Sequence, residues 1–476
     1  MEEALVLLKE REVTWRRILV EGGKAVLLQV AAPLALLVET VVLGSVSYDA
    51  LSLYSLVCSV TNLAGVVFNF LSDGVSAKVS KSVGRGDPGK TKANVFYALS
   101  FAGALGLTCA AVLAVLFEPI LSAAGMSNAH AREKVKSFYM VKALTVPFVQ
   151  ITVASTGILS GYQRMALAAS LNIFRCILSV IGTFLALVTM SGGLFELGMA
   201  GLISYAVSSC LGFVMVCASR PPGPAFRDWS VFRASDPSEL ESPLIEQGSE
   251  DNFWSFVKDG SSMLLRSLAL QSSFFVAAIV AARLPDPEAL AAYGIVVQLW
   301  MLTSYLTDGF ANVGTMLGGR LYGESWGLVS RLLFQRMTER LLFIGCLVGL
   351  LFSVLLLALE DEIISVFTMK SSESKAKVIG QLRKVWSLIA VVQPINSLVF
   401  VLDGLIYALQ KFDYVRNLMV FAFAVVYSPL LISFQVTGFF DAASGLVFIW
   451  LAKSAMNFVR LLGLVRGVAS GLQCSG

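Results

Sequence analysis

Leu71-Ser72-Asp73-Gly74 followed by Gly84-Arg85, and Leu306-Thr307-Asp308-Gly309 followed by Gly319-Arg320, are one pattern written twice, about half the chain apart. Each copy closes a long apolar segment, and the internal spacing is identical. Further along each half, Pro147, Gly157 and Gln163 recur in the same order as Pro394, Gly404 and Gln410. The two sets are displaced by slightly different amounts, a difference that one longer loop absorbs. A chain that repeats its helix ends and its helix interiors predicts two membrane bundles of similar design, the common plan of secondary transporters.

Composition agrees. Over 476 residues, 56% are hydrophobic and only 14% charged, and the mean hydropathy is +0.76. These values describe a polytopic membrane protein, not a string of soluble domains. The net charge of +4 is small, which excludes a nucleic-acid binder on composition. The seven cysteines are scattered without a Cys-x-x-Cys pair, and His130 is the only histidine. Zinc and iron–sulfur chemistry therefore lack ligands, and no metal or other cofactor is expected.

Apolar windows long enough for a bilayer, about 20 residues, fall near 24–45, 50–76, 94–117, 138–160, 166–190 and 197–219. They resume near 258–283, 288–314, 338–359, 386–409, 415–436 and 442–466. The expected fold is all-α: twelve transmembrane helices in two pseudo-symmetric six-helix bundles. The first bundle covers 24–219 and the second 258–466. A cytosolic helix precedes them (1–23), a cytosolic linker rich in proline, serine and acids joins them (220–257), and a short cytosolic tail follows (467–476). Glu2, Glu3, Lys9, Glu10, Arg11, Glu12, Arg16 and Arg17 suit a cytosolic amphipathic helix better than a cleavable signal peptide. Residues 220–252 are expected to be mostly without fixed structure.

Charge sets the orientation. The loop after the second span carries Lys78, Lys81, Arg85, Lys90 and Lys92, and its counterpart carries Arg320, Arg331, Arg336 and Arg340. The loops near Ser47, Gly192 and Gly438 have neither lysine nor arginine, so both chain ends are expected in the cytoplasm. Segment 370–384 is basic although it falls outside, and reads as a helical extension at the outer surface.

A charge in hydrocarbon costs roughly 2.5–3.5 kcal/mol on insertion scales, so each intramembrane ionisable group needs a partner, a cavity or a function. The candidates are Glu39, Lys142, Arg175, Arg266, Asp308, Asp403 and Lys453. Glu39 lies about 22 Å along the first span from Lys24, in the outer half of the bilayer. Pro33, six residues earlier, lacks the N–H that would hold the helix straight there. A titratable carboxyl beside a hinge could couple protonation to shape. A static ion pair with Arg175 is the competing reading of the same acid. Asp73, Asp308 and Asp403 sit toward inner helix ends and with Arg266 read as a structural charge network. Gln271, Gln298, Trp300 and Asn396 supply polar or aromatic surface that could line a solute site, with Arg175 as a further substrate or charge partner.

With those residues located, the chain resembles the multidrug and toxic compound extrusion (MATE) family, most closely its DinF-like branch. Pro33-Leu-Ala-Leu-Leu-Val-Glu39-Thr40, Gly84-Arg85-Gly86-Asp87 and Gly157-Ile-Leu-Ser-Gly161-Tyr-Gln163 carry the likeness in the first half. Leu265-Arg266-Ser-Leu-Ala-Leu-Gln271, Asp308-Gly309-Phe310-Ala311 and Phe400-Val-Leu-Asp403-Gly404 carry it in the second. The resemblance implies a monomeric V-shaped pair of bundles that alternates access across the bilayer. It further implies antiport in which H⁺, or less readily Na⁺, enters while an organic solute leaves. Glu39 would hold the position of the coupling acid. The fifth helix departs from the family: where an Asn and an Asp are usual, it reads Arg175-Cys-Ile-Leu-Ser179-Val-Ile-Gly-Thr183. The solute would be a xenobiotic cation or an organic acid. A lipid-linked flippase of the wider superfamily and a non-transporting receptor or scaffold are the alternatives; an enzyme is excluded, since no catalytic constellation can be assembled. The membrane, plasma membrane or endomembrane, is left open.

Overall fold

The computed structural model describes residues 10–46, 54, 57, 58, 61, 70–123, 129–231, 253–284, 288–324, 326–367, 373–436 and 445–473. Among them the chain is helical throughout, without strands. Among the described residues eleven helices are long and apolar enough to cross a bilayer. The second expected span, 50–76, lies largely outside the described residues.

The long helices are α1 (Trp15–Val46), α2 (Phe70–Arg85), α3 (Pro88–Val115), α4 (Ala129–Gly161), α5 (Met165–Phe184) and α6 (Leu194–Ala218) in the first half. The second half has α7 (Phe253–Ala282), α8 (Glu288–Gly323), α9 (Leu328–Ala358), α10 (Glu373–Ala408), α11 (Phe412–Phe421) and α12 (Gly445–Gln473). Helix α5 continues through a π turn at Leu185–Thr189, and α11 through one at Ala422–Tyr427 into Ser428–Val436. Leu27, Leu37 and Val41 on α1 and Phe343, Leu347 and Val354 on α9 stand exposed. On helices of this hydropathy such faces meet lipid, where an apolar side chain costs nothing.

The chain divides into two compact units, Gly23–Ser261 with Gly323–Ser325, and Met1–Gly22 with Ser262–Tyr322 and Trp326–Gly476. The changeover at the front falls inside α1, between Gly22 and Gly23. Within the second unit, Glu10 ties the segment ahead of α1 to α9, with ion pairs to Arg336 at 2.9 Å and Arg340 at 2.7 Å.

The internal repeat extends to the backbone. Gln163 and Gln410 both adopt φ of 59° just past the ends of α4 and α10. Around them the same capping bonds form, Arg164 N–H to Leu159 O and Lys411 N–H to Ile406 O, which close the orphan carbonyls of each helix end. A second correspondence is Gly106 of α3 against Pro147 of α4, and Gly349 of α9 against Pro394 of α10. A Cβ on either glycine would stand 2.5 or 2.6 Å from the opposing proline Cα. The two prolines thus mark where neighbouring helices approach backbone to backbone, which only glycine permits.

The turn between α2 and α3 follows its sequence. Gly86 takes φ of 66°, and the Asp87 carboxylate caps α3 by accepting the Lys90 N–H at 2.9 Å, with Pro88 opening the helix. The expected linker is partly folded. Phe226 is buried and Trp229 packs edge-on to Tyr162 and Phe226, so residues 220–231 dock on the first unit. Two aromatic rings supply the apolar face that the prolines and serines lack. Residues 232–252 lie outside the described part. The basic stretch 373–384 continues into α10, and Arg383 pairs with Asp361 at 2.7 Å.

Candidate functional site

In the first unit Glu39 is buried. One carboxyl oxygen accepts the Ser179 hydroxyl of α5 at 2.5 Å, and the other accepts the Tyr54 hydroxyl at 3.1 Å. Tyr54 stacks on Phe138 of α4, and the Lys142 ammonium stands 5.6 Å from both ring centres. Val42, Leu43, Leu113, Phe117 and Val146 complete an apolar shell. Each hydroxyl donates to the carboxylate, and the serine can turn to accept from the protonated acid.

Arg175 does not pair with Glu39: among the described residues no contact within 4.0 Å joins them. Its guanidinium grips Asn172 Oδ1 at 3.1 and 3.0 Å and the Cys176 sulfur at 3.0 Å, and lies over the Tyr205 ring at 4.7 Å. Asn172 in turn donates to the Leu28 carbonyl of α1 at 2.5 Å. Lying on α5 one turn before Arg175, it ties α5 to the stretch of α1 that carries Pro33. Pro33 sits inside an unbroken α1.

In the second unit, one oxygen of the buried Asp403 accepts from Arg266 Nη2 at 2.5 Å and from Arg460 Nη2 at 2.7 Å. The other oxygen has no partner among the described residues. Arg266 also lies over the Tyr407 ring at 5.4 Å. A polar chain leads away from this triad. Arg460 donates to Asn457 at 3.2 Å, Asn457 to Asn396 at 3.3 Å, and Asn396 to Ser304 at 3.3 Å, beside Trp300. The sequence-predicted Arg266, Asp403, Asn396 and Trp300 therefore belong to one buried polar seam. Asp308 is half-buried on α8, Gln271 is half-buried on α7 and Gln298 is exposed on α8. Asp73 is on α2, in the other unit.

Sequence reasoning missed Tyr54, Asn172 and Arg460. Only Arg460 left a signal: it lies seven residues after Lys453, two turns along one helix face.

Comparisons with known proteins place these sites in context. A family model, MatE, matches residues 25–185 and 263–432. Among curated proteins, DETOXIFICATION 42 of Arabidopsis thaliana is 24% identical over 76% of this chain and 65% of its own length. DETOXIFICATION 43 covers a similar stretch, and this chain spans slightly under two thirds of either relative. The chloroplastic DETOXIFICATION 45 of the same plant is 23% identical over 91% of this chain. Among solved structures, an outward-facing multidrug resistance MATE transporter superposes with a TM-score of 0.80 over 98% of both chains at 16% identity. A MOP superfamily transporter from Pyrococcus furiosus, described as having a binding pocket of reversed polarity, superposes at 0.78 over 96% of this chain and 97% of its own, also at 16% identity.

Proposed function

This chain belongs to the MatE family of efflux transporters, and on that footing we propose that it is an H⁺-coupled antiporter exporting an organic solute by alternating access. Its family is one of transporters, not enzymes.

The observation that carries the reading is the pair of hydroxyls on Glu39. A guanidinium partner would hold the acid permanently charged, because it can only donate. Two hydroxyls in an apolar shell let the same site lose and regain a proton at small structural cost. The proton is favoured over Na⁺ by the ligand set. A hard cation gathers many oxygen ligands, whereas here one carboxylate and two hydroxyls sit beside the Lys142 ammonium. Pro33 is the proposed point where α1 flexes as Glu39 titrates. The Arg266–Asp403–Arg460 triad is the proposed structural anchor of the second unit. Both termini face the cytosol on the positive-inside pattern, and the transporter acts as a monomer.

Proteoliposome exchange under an imposed pH gradient tests this. The native protein is expected to accumulate or expel solute in proportion to the gradient, and Glu39→Gln to lose that dependence. A fully gradient-driven Glu39→Gln variant would remove H⁺ coupling from Glu39.

A further inference from the structure

Lys453 lies midway along α12 and is buried, yet it meets no carboxylate among the described residues. Its ammonium donates to Ser273 Oγ at 2.5 Å, sits over the Phe274 ring at 3.6 Å and stands 6.0 Å from the Tyr427 ring. The charged group next along its own helix is Arg460, a second cation, and that side chain is already committed to Asp403. An uncompensated ammonium in the membrane interior marks a functional group by default.

A second observation falls on the same helix face. Trp450, one turn before Lys453, is 1% exposed, and its indole Nε1–H has no acceptor among the described residues. A buried donor without a partner is uncommon and asks for an explanation. Its ring packs against Trp300 at 5.2 Å and Tyr293 at 6.0 Å. The Tyr293 hydroxyl donates at 2.8 Å to the carbonyl of Phe274, the residue whose ring lies under Lys453. The two donors thus share one aromatic neighbourhood inside the second unit. Among the described residues the indole lacks an acceptor, and the ammonium, whose one hydrogen bond goes to a neutral hydroxyl, lacks a negative charge.

We propose that Lys453 and the Trp450 indole hold the carboxylate of the transported solute, and that the solute is an organic anion carrying an aromatic ring. The ammonium supplies the counter-charge and the indole N–H a second, directional hydrogen bond. The rings of Phe274, Tyr293, Trp300 and Tyr427 offer flat apolar walls that an aromatic group matches by edge and face. The bound anion gives the indole its acceptor and the ammonium its counter-charge at once. This inference rests on the transport reading, because it names what that transporter carries.

Equilibrium binding of radiolabelled p-aminohippurate, an aromatic carboxylate, to the purified full-length protein tests the site without requiring flux. The native protein is expected to bind it in preference to tetraethylammonium. Lys453→Met is expected to weaken binding about 10- to 100-fold, as for loss of a charged hydrogen bond. Trp450→Phe, which keeps a ring and removes the donor, is expected to weaken it about 3- to 10-fold. A purely structural lysine would lower the thermal midpoint when removed. The expectation here is a midpoint equal to or above the native one for Lys453→Met without ligand, since Ser273 keeps its bond to the Leu270 carbonyl, and loss of the midpoint rise that p-aminohippurate gives the native protein. Absent binding by the native protein, preference for tetraethylammonium, or unchanged binding by Lys453→Met would each overturn the site. Retained binding with no gradient-driven flux would instead sink the transport reading alone.

Discussion

Replacing Asp403 by asparagine removes a carboxylate that serves two buried arginines. Asp403 and Arg460 are each 3% exposed and Arg266 9%, so water cannot rescue either cation in place. At an effective dielectric near 20, each ion pair with charge centres about 4 Å apart is worth roughly 4 kcal/mol in attraction. Desolvation offsets most of that in the intact triad, which is why the triad itself is weak evidence of high stability. The variant loses the attraction and keeps the desolvation, and it gains the unshielded repulsion between Arg266 and Arg460. The expected cost is about 3–5 kcal/mol, the range for breaking a buried pair from one side. Arg460→Met should cost less, because Asp403 then still pairs with Arg266 at 2.5 Å. Unfolding by sodium dodecyl sulfate titration of the purified protein, followed by tryptophan fluorescence, measures both. In a double-mutant cycle the two changes should couple by about 1–3 kcal/mol, since they share one contact. A loss below about 1 kcal/mol for Asp403→Asn, or additivity with Arg460→Met, would refute the claim that the triad anchors the second unit.

Ser179→Ala and Tyr54→Phe should each cut gradient-driven exchange, because each removes one of the hydroxyls that donate to Glu39; initial rates across external pH measure the loss. Gly349→Ala should destabilise by about 1–3 kcal/mol through overpacking against Pro394, and Gly106→Ala similarly against Pro147, both read as shifts in thermal midpoint. The hydrogen bond from Arg340 beside Glu10 holds its carboxyl below its ordinary value of 4.5, with Arg336 adding to the effect. The contact is therefore fully present above pH 4.5 and lost only as pH falls through the lower folded-state value. Hydrogen exchange over residues 10–22 should be slow at pH 7 and speed up below pH 4.5 in excess of the intrinsic rate, while Glu10→Gln shows the faster, pH-independent opening throughout.

How far the sequence carried each conclusion depended on the distance between the groups involved. The duplication was legible because Asp73-Gly74 and Asp308-Gly309 keep their neighbours at fixed offsets along the chain. Glu39 stood out because a carboxyl inside an apolar run is costly wherever it ends up. Its partners did not stand out. Ser179 lies 140 residues away, and a serine in an apolar helix is usually bonded to its own backbone, as Ser204 is here. The competing reading, a static ion pair with Arg175, matched opposite charges but could not see Asn172, one turn earlier, occupying the guanidinium. Arg266 and Asp403, grouped with Asp73 and Asp308 by helix depth, are in direct contact. Arg460 was overlooked although its seven-residue spacing from Lys453 puts both on one helix face, because that spacing does not say which acid it meets.

The sequence by itself determined a membrane-embedded, twice-built helical chain and the short roster of charges that hydrocarbon makes expensive, since apolar length, repeat spacing and residue type are one-dimensional properties. Only the tertiary structure decided which helix faces meet, and so which charges find an opposite, which find a hydroxyl and which find only aromatic rings. An ion's cost is set by what lies within a few ångströms, and in a bundle most of those neighbours come from distant parts of the chain.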